Sequence, residues 1–274
     1  MKHNQYTEEI YEKAISLNKS KKINEIAKEL GVPIRTLCNW FIGAHKPKCI
    51  SKKWNEWNKR RHSNLGKFSQ RISIYPNKLK EYEQAYLLGV YIGDGNSSDG
   101  FDLQVKDFNF AGYVANLLSK ICQRNIKPNK YLRLHKSGRN EIGYRVRIVR
   151  KKLKIWLEKN TKLKKSIPNF NSIKAKYYFF GGFFDSEGTI KYGGRILKNK
   201  RKTGMYLSIC QKDKHILEQL RNTLLQLKIR GTIKQDRNYF LLNIFNKKNH
   251  RKIIQNSNIV IQRKRQKILD YIGD

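Results

Sequence analysis

Two stretches decide how this chain folds: Leu87-Leu88-Gly89-Val90-Tyr91-Ile92-Gly93-Asp94-Gly95 and Phe180-Gly181-Gly182-Phe183-Phe184-Asp185-Ser186-Glu187-Gly188. Each closes an apolar helical run, at 83–93 and 176–186, with a carboxylate followed by glycine. Gly89 and Gly93 stand four apart, as do Gly182 and Ser186. A stripe of small residues at that spacing lets a second helix backbone come close. The elements after each stretch also repeat. The strands Leu103–Asp107 and Ile209–Asp213 turn polar at their ends, and Asp107 and Asp213 are placed to cap helices near 108–122 and 214–228. Paired strands follow at 130–135 with 143–149, and at 231–235 with 239–245, and a basic helical stretch closes each copy. The two terminal acids lie 93 residues apart. A repeat of this size predicts two similar halves about a pseudo-twofold axis.

If the two helices pair about that axis, Asp94 and Glu187 meet at one end of the interface. Two carboxylates a few Å apart cannot both ionise cheaply. They also sit at helix C-termini, where the dipole favours cations. A bound cation relieves both problems, and hard oxygen ligands with room for water suit Mg²⁺. Such metals activate water and stabilise the leaving oxygen in phosphodiester hydrolysis.

The two stretches resemble the paired motifs of LAGLIDADG homing endonucleases, and the resemblance covers residues 83–274. The second copy follows the motif closely. The first has Ile92 where the motif's earlier Asp stands, as Asp185 does in the second. The resemblance implies an α+β fold: two pseudo-symmetric αββαββα halves in one monomer, their sheets forming a saddle over double-stranded DNA. It implies that Asp94 and Glu187, with Gly93 and Ser186 beside them, form the metal site for Mg²⁺ or Mn²⁺. Each strand would be cut across the minor groove, leaving short 3′ overhangs. Gln211 matches a strand-end Gln that positions water, whereas the first half has Val105 there. The stretch Ile261–Gln266 resembles the one supplying a basic residue to the active site. Lys264 is the first choice and Arg263 the alternative, with Lys164 or Lys165 as the first-half counterpart. Side chains on the sheets and their loops would read bases in the major groove, Arg145, Arg147, Arg195, Lys212 and Arg237 among them.

The halves are unequal. From Glu187 to Gln211 the chain advances 24 residues, but from Asp94 to Val105 only 11. The second half therefore has room for a full hairpin with a basic loop, and the first is expected to reach fewer base pairs.

The N-terminal residues carry a different pattern. Thr7 can cap a first helix with Glu8 and Glu9 in its opening turn, and Ile10, Ala14, Ile15 and Leu17 mark its buried side. A second helix spans Ile23–Leu30, Gly31 supplies a tight turn, and Pro33 starts a third helix. The run from Ile26 to Trp40 resembles a helix-turn-helix, which places its third helix in the DNA major groove. Arg35, Thr36 and Asn39 would then face DNA, with Lys46 and Lys48 following. The expected domains are 1–48 (helix-turn-helix), 49–80 (basic linker), 81–170 (first half) and 171–274 (second half).

Composition agrees. The chain of 274 residues carries 59 Lys+Arg against 21 Asp+Glu, a formal charge of +38. A compact body with that charge repels itself unless a polyanion neutralises it, and nucleic acid is the first candidate. The 39% hydrophobic content supports real cores. No run approaches the roughly 18 apolar residues of a membrane helix, and the N-terminus has no apolar signal region. The four cysteines form no Cys-x-x-Cys pair, which points to a reducing intracellular compartment rather than a disulfide or zinc framework. The leading expectation is a site-specific double-strand DNA endonuclease of the intron-homing type. Two alternatives share the fold: a catalytically inactive DNA-binding regulator, and a maturase acting on intron RNA.

Overall fold

The computed structural model describes residues 6–42, 73–96, 99–134, 140–196 and 202–273. They fall into two compact units, Met1–Ser73 with Asn129–Arg145, and Ile74–Pro128 with Val146–Asp274.

In the first unit, α1 (Glu8–Leu17), α2 (Ile23–Leu30) and α3 (Ile34–Phe41) surround Ala14, Ile26, Val32, Leu37 and Trp40, all nearly inaccessible. The Thr7 hydroxyl accepts a hydrogen bond from the Ile10 amide, and Gly31 takes the left-handed conformation (φ 60°) that ends α2. Tyr6 and Tyr11 meet the Trp40 ring edge-on at 5.4 and 5.3 Å. Two details differ from expectation. Tyr11, one turn before Ala14, packs on the core, while Ile15 is 36% exposed on the outer side. Pro33 is the residue before α3 rather than its first residue, so its fixed φ sets the turn. The hairpin of β2 (Asn129–Leu134) and β3 (Asn140–Val149) contributes Leu132 to this core.

The second unit is organised by α4 (Glu81–Gly93) and α7 (Ile173–Glu187). Every residue from Ala85 to Ile92 is buried, as is every residue from Phe179 to Asp185. Helices apolar all round belong in a core, with no face for solvent. Around them lie β1 (Gly100–Val105), α5 (Phe108–Cys122) and α6 (Lys151–Thr161) in the first copy. The second copy supplies β4 (Gly188–Ile196), β5 (Lys202–Gln211), α8 (Lys214–Gln226), β6 (Thr232–Asp236), β7 (Tyr239–Ile244), α9 (Lys247–Asn256) and α10 (Gln262–Gly273). Asp107 and Asp213 cap α5 and α8 as expected, accepting from the Phe110 and His215 amides at 2.9 Å each.

The sheets have strand orders β1-β3-β2 and β4-β5-β7-β6. The second copy therefore has its full αββαββα order. The first corrects the expected symmetry, because its α4 is followed by one strand. Among the described residues, the only trace of the other is an isolated bridge between Asn96 and Asp102. The ten residues between Asp94 and Val105 are too few for two strands of ordinary length and a turn.

Candidate active site

The site is built on glycine reciprocity. A Cβ on Gly89 would collide with the Phe179 carbonyl and lie 2.9 Å from the Phe183 amide nitrogen. A Cβ on Gly182 would collide with the Tyr86 carbonyl. Gly182 stands at the motif position of Gly89, and Phe179 at that of Tyr86, so each helix meets the other through the same two positions. That is the contact pattern of a twofold. Near the axis, a Cβ on Gly93 would come 2.5 Å from the Ser186 Cβ and 3.2 Å from the Glu187 Cγ. The backbones touch where side chains are absent, and the two C-terminal ends are held together.

Those ends carry Asp94, immediately after α4, and Glu187, the last residue of α7. Neither helix has a basic residue in its last turn. Burial raises the Asp94 carboxyl above its ordinary range, against the opposing pull of Lys264 and Lys164. Burial and the Asp94 charge push Glu187 up to about 7, despite Lys164, Lys264 and a hydrogen bond from Gln211. The two acids therefore share one site where desolvation outweighs the pull of its two lysines. Among the described residues no cluster of three or more His, Cys, Asp or Glu side chains is suited to a metal. Two carboxylates alone fit a hard divalent cation that keeps water and substrate oxygens in its remaining positions. Gly93 and Ser186 lie in the helix contact beside the acids, where the Ser186 hydroxyl donates to the Gly182 carbonyl at 3.1 Å.

Two lysines reach this centre by different routes. Lys264, in the first turn of α10, donates to the carbonyls of Phe184 (2.8 Å) and Asp185 (2.7 Å) and lies 5.2 Å from the centre of the Phe184 ring. Burial lowers its ammonium to about 8, against the attraction of Asp185, Asp94 and Glu187. Its support is Asp185, which is 2% exposed. The Asp185 carboxylate accepts from the Tyr86 hydroxyl (2.7 Å), the Val260 amide (2.8 Å) and the Ile261 amide (3.3 Å), so it ties the start of α10 to both long helices. Burial nonetheless raises Asp185 to about 6.

Lys164 donates to the Gly95 carbonyl and lies 4.8 Å from the centre of the Tyr91 ring. Tyr91 and Phe184 occupy the same motif position. Lys164 is the last of three consecutive left-handed residues, Lys162 (φ 43°), Leu163 (φ 58°) and Lys164 (φ 67°). Such conformations cost side-chain-bearing residues on the order of 1 kcal/mol each and gather where a function fixes them. The buried Thr161 holds the turn, its hydroxyl accepting from the Lys164 amide at 3.1 Å.

Of the sequence candidates, Asp94, Glu187, Gln211 and Lys264 come together. Between Lys164 and Lys165, it is Lys164 that faces the acids. Arg263, beside Lys264, is exposed. The roles of Tyr86 and Asp185 were missed. The only signal was Asp185 itself, the motif's earlier acid.

The nucleic-acid candidates are spread over both units. Arg35 is exposed on α3, and Thr36 and Asn39 are half-buried. Lys46 and Lys48 lie outside the described residues. Arg145 and Arg147 share one face of β3. Arg147 lies 3.7 Å from Asp99 and 3.9 Å from Asp102, so local acids partly engage its charge. Arg195 is on β4, and Arg237 is exposed in the β6–β7 turn (φ 54°). Lys212 follows β5, 5.7 Å from the centre of the Tyr239 ring. On the sheet face opposite Leu207 and Ile209, Ser208 and Asn243 are directly opposed on β5 and β7. The Ser208 Oγ and Asn243 Oδ1 have no hydrogen-bond partner among the described residues.

Residues 175–258 match the LAGLIDADG-like domain. Among solved structures, the chain is similar to the homing endonuclease I-WcaI bound to its DNA recognition sequence. The two are 18% identical over 69% of this chain and 87% of that one, with a TM-score of 0.52. It is also similar to I-DmoI in complex with DNA and Mn, at 22% identity over 64% and 96% of the two chains and a TM-score of 0.43. A third match is the N-terminal LAGLIDADG domain of DUF199/WhiA, at 19% identity over 68% and 86% with a TM-score of 0.45. No curated protein matches. The α+β fold is of the LAGLIDADG type. Among the described residues no helix is long and apolar enough to cross a membrane.

Proposed function

We propose that this chain is a site-specific double-strand DNA endonuclease that works with Mg²⁺ or Mn²⁺ held between Asp94 and Glu187. The observation carrying this reading is the desolvated acid pair at the joined ends of α4 and α7, with Lys164 and Lys264 beside it. Bound there, the metal would lower the pKa of water and stabilise the leaving oxygen. The chain's own residues supply the rest. Asp94 and Glu187 would hold the metal, with the main chain at Gly93 and Ser186 alongside. Gln211, bonded to Glu187, orients water on the second-half side. Lys164 and Lys264 offset the negative charge that grows on the attacked phosphate. Both acids come from one chain, which supports a monomeric enzyme. The basic sheet strands and the N-terminal helices would read the duplex, the latter as a helix-turn-helix with Arg35, Thr36 and Asn39 foremost. Removing residues 1–60 should then shorten the footprint, and an unchanged footprint would reject that role. The similarity to a DNA-bound homing endonuclease supports the reading as a whole.

A second reading, DNA binding without cleavage, draws on Val105 standing where the second half has Gln211, which leaves one half without its water-positioning amide. Plasmid-library cleavage with Mg²⁺ separates the two. Cutting that disappears in both Asp94→Asn and Glu187→Gln supports the enzyme. Cutting that survives both removes these acids from the mechanism. A metal-independent footprint without any cutting favours the binder, and preferential binding of structured intron RNA would favour a maturase.

A further inference from the structure

We infer that the second half carries an anchoring site for about two to three backbone phosphates of the duplex, separate from the acid centre; this rests on the DNA-binding part of the proposed function. The site is a cavity of about 790 Å³ between the turn after α8 and the start of α9. Four cations line it, Lys228, Arg230, Lys248 and Lys252, and no carboxylate does. Among the described residues none of the four forms an ion pair. Charge density in the +38 chain does not explain this alone. From Arg221 to Asn256 the sequence has nine Lys or Arg and a single acid, Asp236, which sits at the other end of β6.

The cavity is also built. The Lys252 ammonium donates to the Lys228 carbonyl at 3.2 Å, and the Asn249 amide donates to the carbonyls of Arg230 (3.4 Å) and Phe245 (2.9 Å). These bonds fasten the α8–β6 turn to α9. Two lining residues are left-handed, Lys228 (φ 55°) and Asn246 (φ 82°), and the Asn246 side chain caps α9 by accepting from the Lys248 amide. Locked backbone and unpaired cations together describe a preorganised anion site. Phe245, 46% exposed, adds an apolar wall.

Its position identifies the ligand. Gln211, bonded to Glu187, pairs with Phe240 at the start of β7. The cavity begins at Phe245, five residues along, which is roughly 17 Å at the rise of an antiparallel strand. Phosphates of one DNA strand are about 3.4 Å apart along the helix axis. The cavity therefore lies roughly 17 Å from the Gln211 end of the strand, the axial span of about five phosphates of a duplex laid along this half. A backbone phosphate is the anion expected at that distance.

The test is duplex binding in EDTA as a function of salt, which needs neither a known target nor cleavage. The variant combines Lys228→Asn, chosen because Asn tolerates the left-handed conformation, with Arg230→Gln and Lys248→Gln. A charge-matched control combines Lys151→Gln, Lys152→Gln and Lys159→Gln, all exposed on α6. The slope of log K against log[salt] should fall by about 0.9 for each phosphate that the protein no longer neutralises. A drop of roughly two to three is expected in the variant, with little change in the control and an unchanged melting temperature. Lys248→Gln alone, on an exposed residue, should lower the slope by about one even if the triple variant folds poorly. An unchanged slope, or an equal fall in the control, overturns the inference. Pyrophosphate or a mononucleotide binding tightly at the cavity, with duplex binding insensitive to it, makes it a small-ligand site and overturns the inference as well. If the unaltered protein binds no duplex, the DNA reading fails and takes this site with it. If it binds and only the slope test fails, this site alone is lost.

Discussion

Replacing Glu187 by Gln tests the electrostatics of the acid pair without any appeal to catalysis. Burial and the Asp94 charge raise the Glu187 carboxyl from its ordinary 4.5 to about 7. An acid raised on folding binds more protons in the folded state than in the unfolded one between those values. Stability therefore falls as pH rises through that window and stays lowered above it. At about 1.4 kcal/mol per unit, the full shift corresponds to a ceiling of about 3.4 kcal/mol. The side chain is only partly buried, and solvent screening brings the expected cost to roughly 2 kcal/mol. Gln has the same shape and no charge, so the substitution removes that cost. In EDTA at pH 8 the variant should melt roughly 4–8 °C above the unaltered protein, at about 2–4 °C per kcal/mol for a chain of this class. Most of that gap should be gone by pH 5, where the folded-state carboxyl is protonated anyway. Mg²⁺ at pH 8 should raise the melting temperature of the unaltered protein and leave the variant unmoved. Differential scanning calorimetry at the two pH values decides it. A variant that melts lower than the parent at pH 8, or a gap that does not shrink towards pH 5, would refute the claim that Glu187 sits in a frustrated site.

Three further outcomes follow from the same geometry. Gly182→Ala should drive a methyl into the Tyr86 carbonyl and separate the two long helices; a loss of at least about 3 kcal/mol is expected by urea unfolding. Tyr86→Phe removes a 2.7 Å hydrogen bond to the buried Asp185 carboxylate and should cost about 1.5–3 kcal/mol at pH 8, with a smaller cost near pH 5, where Asp185 is protonated; equal costs at both pH values would count against a charged acceptor. Lys264→Met and Lys164→Met should each slow cleavage of one DNA strand more than the other, on opposite strands. Strand-labelled denaturing gels read this directly, and equal slowing of both strands by either variant would show that the lysines do not serve separate half-sites.

The central helices were legible because their signal is local. Two small residues at a spacing of four, an all-apolar run and a terminal acid give the pairing, the burial and the position of Asp94 and Glu187. The capping aspartates were legible for the same reason, since Asp107 and Asp213 act on amides two or three residues away. What escaped was non-local. The Tyr86–Asp185 bond joins residues 99 apart, and no periodicity in either helix announces it. The choice of Lys164 over Lys165 depends on a left-handed turn that no glycine or asparagine marks. Ile15 fits a helical face on spacing alone, but the face centred on Ala14 turns towards Tyr11, because Trp40 offers an aromatic wall there. The missing strand of the first half was visible as a shortage of residues, although the motif resemblance argued for full symmetry.

Symmetry is strict at the axis and relaxed away from it, and packing explains the difference. At the axis each glycine faces the other helix's backbone, so any displacement on one side is forced on the other, and the two acids stay in register. No such reciprocity binds the segments that deliver the lysines. Lys164 and Lys264 come from unlike segments, the first from the left-handed turn after α6 and the second from inside α10. In the second half a buried carboxylate, Asp185, fastens the start of α10 and brings Lys264 onto the helix end. In the first half Ile92 stands at the equivalent position and has no oxygen to offer. There the lysine is fixed by Thr161 and a strained turn instead, and it bonds the Gly95 carbonyl rather than those of the motif helix. The aromatic ring beneath each ammonium, Tyr91 or Phe184, is still the same motif position. The lost acid of the first copy is thus a positioning group replaced by another device. Its absence leaves the charge of the acid pair intact, which is why the first motif can depart from the second at Ile92 and keep Asp94.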